Sequence, residues 1–86
     1  YFMSKNKITL DQGTDVKKVF EKIKDKYRNQ PVNTEDGLKI EFDTDWVHLR
    51  TSNTEPIIRI YSESNLEKTA ENIAGRLMMD IREAMM

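Results

Sequence analysis

The chain has 86 residues, which suits one small domain with a thin core. Its 14 Lys and Arg against 15 Asp and Glu leave a net charge of -1, which argues against a dedicated nucleic-acid binder, whose footprint is a basic excess. The absence of cysteine excludes disulfides, zinc–thiolate centres and thiol nucleophiles.

Hydrophobic residues make up 37% and charged residues 34%, the balance of a soluble globule. No apolar run is long enough to span a membrane, and no secretory signal opens the sequence. A cytoplasmic protein with no membrane partner is the expectation. The first residue is Tyr1, so the plainest reading is a single domain, residues 1–86, cut from a longer chain.

Tyr1 to Leu10 reads as an extended segment in which Ile8 and Leu10 alternate with Lys7 and Thr9, the period of a half-buried strand. Asp11-Gln12-Gly13-Thr14 is a turn, with Gly13 free to take positive φ. Val16, Val19, Phe20, Ile23 and Tyr27 then recur at steps of three and four, which predicts a helix over about Asp15 to Arg28. Its other face is rich in Lys, a solvated surface or a site for an anionic one. Pro31 closes this region.

Asp36-Gly37 signals a turn. Leu38, Ile40 and Phe42 alternate with Lys39, Glu41 and Asp43. Val47 and Leu49 alternate with Trp46, His48 and Arg50 across the turn Asp43-Thr44-Asp45, which makes an antiparallel hairpin. Thr51 to Pro56 is a polar loop. A third strand of this group runs from Ile57 to Tyr61, with Ile58 and Ile60 on one face. Pro56 stands at its start, where a missing N–H is tolerable. Ser64 and Glu67 have the spacing of a capping box that opens a second helix. Its stripe is Leu66, Ala70, Ile73, Ala74, Leu77, Ile81 and Ala84. Gly75 is a local weakness that close packing could justify, and Met78, Met79, Met85 and Met86 widen the apolar surface. Strand, helix, three strands, helix predicts an α+β two-layer sandwich, with an antiparallel sheet and both helices on one face.

The catalytic inventory is small. His48 shares a strand face with Trp46 and Arg50 and reads as a cross-strand partner more readily than as a general base. Asp36, Asp43 and Asp45 lack the spacing and glycine of a calcium loop. Gly13, Gly37 and Gly75 are too far apart for a phosphate loop of the glycine-rich kind.

One segment has the chemistry of an anion receptor: Arg50-Thr51-Ser52-Asn53-Thr54-Glu55-Pro56-Ile57-Ile58-Arg59. An Arg at each shoulder offers a planar fork of donors that matches two phosphate oxygens. Ser52 and Thr54 carry hydroxyls, Asn53 an amide, and a tight turn can aim successive backbone N–H groups inward. Pro56 stiffens the exit. The same residues also describe an ordinary polar turn between two surface arginines, and the physical chemistry alone leaves both open.

The string Arg50-x-Ser52-Asn53-Thr54-Glu55-Pro56-x-x-Arg59-x-Tyr61 closely resembles the C-terminal phosphate-binding loop of the α-D-phosphohexomutases, the phosphomannomutase, phosphoglucomutase and phosphoglucosamine mutase enzymes. Asp36-Gly37-Leu38-Lys39 and Trp46-Val47-His48-Leu49 are similar to the lead into that loop. The likeness is strong over Asp36 to Ser64 and reaches the helices only through architecture. It implies the fourth domain of such an enzyme, with a TATA-binding-protein-like fold.

The implied reaction moves a phosphoryl group between the 1- and 6-positions of a hexose through a bisphosphorylated intermediate. Arg50, Ser52, Asn53 and Thr54 are then the contacts to the phosphate that is not reacting. Arg59 either meets phosphate or pairs with Glu55 and braces the loop, and Glu55 faces away from the anion. The partners implied are a hexose phosphate and the three other domains. The resemblance gives this segment no cofactor and no catalysis of its own; magnesium and the catalytic serine belong to other domains. The alternative from another class is a free-standing α+β module that binds an anionic metabolite.

Overall fold

Every strand but the shortest carries the period of two on which its place in the sheet depends. The computed structural model describes residues 2–10, 13–34, 37–42, 45–51 and 56–85. The elements are β1 (Phe2–Thr9), α1 (Val16–Lys26), β2 (Val32–Asn33), β3 (Leu38–Glu41), β4 (Trp46–Thr51), β5 (Ile57–Ser64) and α2 (Glu67–Ala84). The strands form one antiparallel sheet in the order β1-β5-β4-β3-β2, so the first strand lies beside the last. This is the expected α+β sandwich with one strand more. β2 pairs Val32 with Ile40 and Asn33 with Lys39; two residues are too few to show a period.

One sheet face supplies Ile8, Leu38, Ile40, Val47, Leu49, Ile58 and Ile60 to the core. α1 adds Val19, Ile23 and Tyr27, and α2 adds Ala74, Leu77 and Ile81. Each such aliphatic side chain stabilises the fold by about 1.5–3 kcal/mol. Phe42 falls just past β3 and is partly buried. Its N–H donates to the Asp45 carbonyl at 2.8 Å and draws the hairpin together. At Gly13 and Gly37 φ is +89°, and a Cβ on Gly37 would stand 2.3 Å from the Leu49 carbonyl oxygen, so a side chain there meets backbone.

α1 begins at Asp15, whose Oδ1 accepts from the Lys17 and Lys18 amides at 3.0 and 3.4 Å. α2 has no such cap. The expected capping box does not form, because Ser64 belongs to β5, paired with Phe2 and buried. The Ser64 hydroxyl accepts from the Leu66 amide at 3.3 Å, and the helix starts beyond it at Glu67. Leu66 therefore lies before the helix and is 60% exposed, outside the stripe expected of it. Ser62, also buried on β5, donates to the Ala70 carbonyl at 2.7 Å and ties the helix to the sheet. Gly75 is exposed, with open space where a Cβ would stand, so close packing does not explain it.

The helices run antiparallel, since Lys22 Nζ donates to the Ala84 carbonyl while Lys26, one turn on, meets Asp80. Asp80 is the one buried carboxylate among the described residues, and it accepts from the Lys26 ammonium and the Tyr27 hydroxyl. The Tyr27 ring also meets Phe42 edge-on at 6.1 Å and carries the Arg76 guanidinium at 5.8 Å. Tyr27 thus joins both helices to the β3–β4 hairpin. Burial, then the Asp80 hydrogen bond, pushes its phenol up to about 12 from an ordinary 10.0.

A phenol that keeps its proton longer when folded adds stability that is complete below pH 10 and is lost as pH rises to about 12. Urea denaturation at a series of pH values is expected to show that loss, and Tyr27→Phe is expected to flatten it while lowering stability at pH 7 by about 1–3 kcal/mol. Equal alkaline slopes in both proteins would contradict the assignment.

Candidate functional site

The sheet face turned away from the helices carries the polar residues of each strand. Register arranges them in rows. Nearest the loop that joins β4 to β5, Lys7 of β1 stands opposite Arg59 of β5, and Arg59 stands opposite Arg50 of β4. The next row is Lys5, Tyr61, His48 and Lys39, from β1 to β3. The third, farthest from the loop, is Met3, Glu63, Trp46 and Glu41. Trp46 Nε1 donates to Glu63 Oε2 at 2.6 Å, and Lys39 Nζ lies 5.0 Å from the Trp46 ring centroid. The face is therefore polarised, with cations by the loop and carboxylates at the opposite end.

Of the residues expected at the site, Arg50 and Arg59 are placed directly opposite one another on adjacent strands, both exposed. Ser52, Asn53, Thr54 and Glu55 lie outside the described residues. The exit of the loop is fixed by a neighbouring strand, since the Leu10 amide donates to the Pro56 carbonyl at 2.6 Å. That bond sets the end of β1 beside the loop and brings Lys7 into the same row as the two arginines. A shallow groove of about 270 Å³ runs along β1 and β5, lined by Lys5, Asn6, Lys7, Arg59 and Tyr61. The sequence places Lys7 in the first strand and assigns it no role at the site. Its exposed face could be read from its alternation with Ile8, but its neighbour on β5 is far away along the chain. His48 is a cross-strand partner of Lys39 and Tyr61, as its strand position suggested.

The family model for the phosphoglucomutase/phosphomannomutase C-terminal domain matches residues 5–79. The chain belongs to this family. It is 38% identical over 79 residues to a phosphoglucosamine/phosphogalactosamine mutase of Sulfurisphaera tokodaii, a match covering 90% of this chain and 17% of that protein. It is 44% identical over 69 residues to a phosphoglucomutase/phosphomannomutase of Thermococcus kodakarensis, covering 80% and 15%. A phosphomannomutase of Methanocaldococcus jannaschii is 40% identical over 55 residues, covering 64% and 12%. The chain thus spans a small part of the length of the mutases it matches.

The resemblance implies magnesium in another domain of the enzyme and no cofactor in this one. Among the described residues no group of three or more His, Asp or Glu side chains could hold a metal ion. On the open face Glu63 is engaged with Trp46, and the loop mouth is lined with cations, which suit an anion and repel a metal. No helix among the described residues is long and apolar enough to cross a membrane.

Lys7, Arg59 and Arg50 share one row. Like charges directly opposite on paired strands weaken a sheet. Arg59→Thr is therefore expected to raise stability at low ionic strength by about 0.2–1 kcal/mol, an advantage that fades in ~1 M salt as the Debye length contracts. Denaturant melts at low and high salt measure both, and a marked loss of stability at either would assign Arg59 a bracing role instead.

Proposed function

We propose that this domain holds the phosphate group of a hexose phosphate that is not undergoing transfer, inside a larger phosphohexomutase that interconverts 1- and 6-phosphates. Arg50, Ser52, Asn53 and Thr54 make the contacts, and Arg59 supports them from the facing strand. The observation that carries this reading is the placement of Arg50 opposite Arg59 at the mouth of the loop, with the nearest carboxylates among the described residues of that face two rows away. The mutase names of the relatives supply the substrate class.

The chemistry asked of the domain is positioning. Binding energy gathered at a remote phosphate orients the sugar for transfer at the other end. A bisphosphorylated intermediate must turn end for end between the two transfers, so the loop has to grip either phosphate. It should then recognise the anion and ignore most of the sugar. A guanidinium fork fits that demand, since its two parallel N–H groups match phosphate oxygens whatever ring lies behind. Magnesium and the serine that carries the transferred phosphoryl group belong to the remainder of the enzyme. The free-standing metabolite sensor is less favoured, because the relatives reported above are mutases of which this domain is a small part.

A charge-assisted hydrogen bond contributes about 1.5–3 kcal/mol. Arg50→Ala is accordingly expected to weaken binding of glucose 1-phosphate by about 10- to 150-fold, with the denaturation midpoint close to that of the unaltered protein. A midpoint lowered as far as that of a core mutant such as Leu49→Ala would mean that Arg50 serves the fold, and unaltered binding would remove it from the site.

A further inference from the structure

We propose that Lys7, on β1, is a third cation of this anion receptor: a positioning residue that helps hold a phosphomonoester dianion at the mouth of the loop. The proposal rests on the phosphate-holding role given to the loop above.

Three observations bring Lys7 to the site. Its register places it directly opposite Arg59, which is itself directly opposite Arg50. Paired strands lie ~4.8 Å apart, so the three positions fall within about 10 Å along one row. The Leu10 amide is bonded to the Pro56 carbonyl, so the end of β1 is tethered to the loop exit at a fixed height. The groove along β1 and β5 is lined by Lys7 and Arg59 together with Lys5 and Tyr61, which leaves open space beside the row.

Charge supports the same assignment. Among the described residues, the two rows nearest the loop carry Lys7, Arg59, Arg50, Lys5 and Lys39 and no carboxylate, although the chain as a whole is at -1. A phosphate monoester carries about -1.5 to -2 at neutral pH, more than one guanidinium neutralises. Like charges set opposite one another are unfavourable in a sheet until an anion lies among them. The ammonium complements the arginines in kind as well as number. It is a point charge on a flexible stem, able to follow a phosphate as the sugar behind it turns, whereas an Arg fork fixes an orientation.

The test is an amide chemical-shift titration of the 86-residue chain with inorganic phosphate at low and moderate salt, comparing four proteins. These are the unaltered chain, Lys7→Gln, Lys7→Arg and Lys68→Gln. Lys68 is exposed on α2, so its change alters net charge equally on a different element. Lys7→Gln is expected to weaken phosphate binding about three- to fivefold and to reduce its salt dependence, Lys7→Arg to restore most of it, and Lys68→Gln to leave it unchanged.

Equal effects of Lys7→Gln and Lys68→Gln would reduce the result to net charge and overturn the assignment. Loss of binding in Arg50→Ala with no change in Lys7→Gln would remove Lys7 alone and leave the loop reading standing. No phosphate response centred on Arg50 and Thr51 in the unaltered chain would overturn the loop reading and Lys7 with it.

Discussion

Burial of Leu49 against Ile60 sets the register of β4 on β5, and the geometry of the candidate site follows from it. Both side chains are fully buried, with Val47 and Ile58 on the same face. A strand has a side-chain period of two, so a slip of β4 by one residue would turn Val47 and Leu49 out to solvent and drive Arg50 into the core. An unpaired buried guanidinium is far more costly than any contact the slipped sheet could gain. The hydrophobic face thus dictates, across the thickness of one sheet, that two guanidinium groups stand opposite each other where the loop begins and ends. That placement is held by apolar packing on the opposite face.

The helix layer keeps that face rigid by different means. α1 and α2 meet at Asp80, whose carboxylate is held by Lys26 and Tyr27, while Tyr27 reaches the β3–β4 hairpin through Phe42. A buried carboxylate with two donors is weak evidence for extra stability, but a strong constraint on how the elements can be arranged. Together with the Ser62 bond to the first turn of α2, it ties both helices to the strands that flank the loop.

Much of this was legible in the sequence, and the exceptions have physical causes. β3, β4 and β5 were readable because alternation is a local property, and Arg50 and Arg59 were readable because they flank a loop with a distinctive string. β2 was missed because two residues carry no period. The serine at position 64 has the spacing of a cap, but pairing with Phe2 outweighs a local capping signal and keeps it in the strand. The burial of Asp80 was not legible, since the residues that make it tolerable lie on the other helix. Lys7 could be given a face but no partners, because its pairing with Arg59 joins residues far apart along the chain.

The proposed function requires that the register of β4 and β5 present a phosphate receptor that reads the anion and not the sugar. Its most direct test is to map amide shifts over the whole chain with glucose 1-phosphate and, separately, with glucose. The account predicts shifts centred on residues 50–54 with the sugar phosphate and none there with the free sugar, at an affinity of about 1 mM. Shifts spread over the surface, or a response to glucose equal to that of its phosphate, would contradict it.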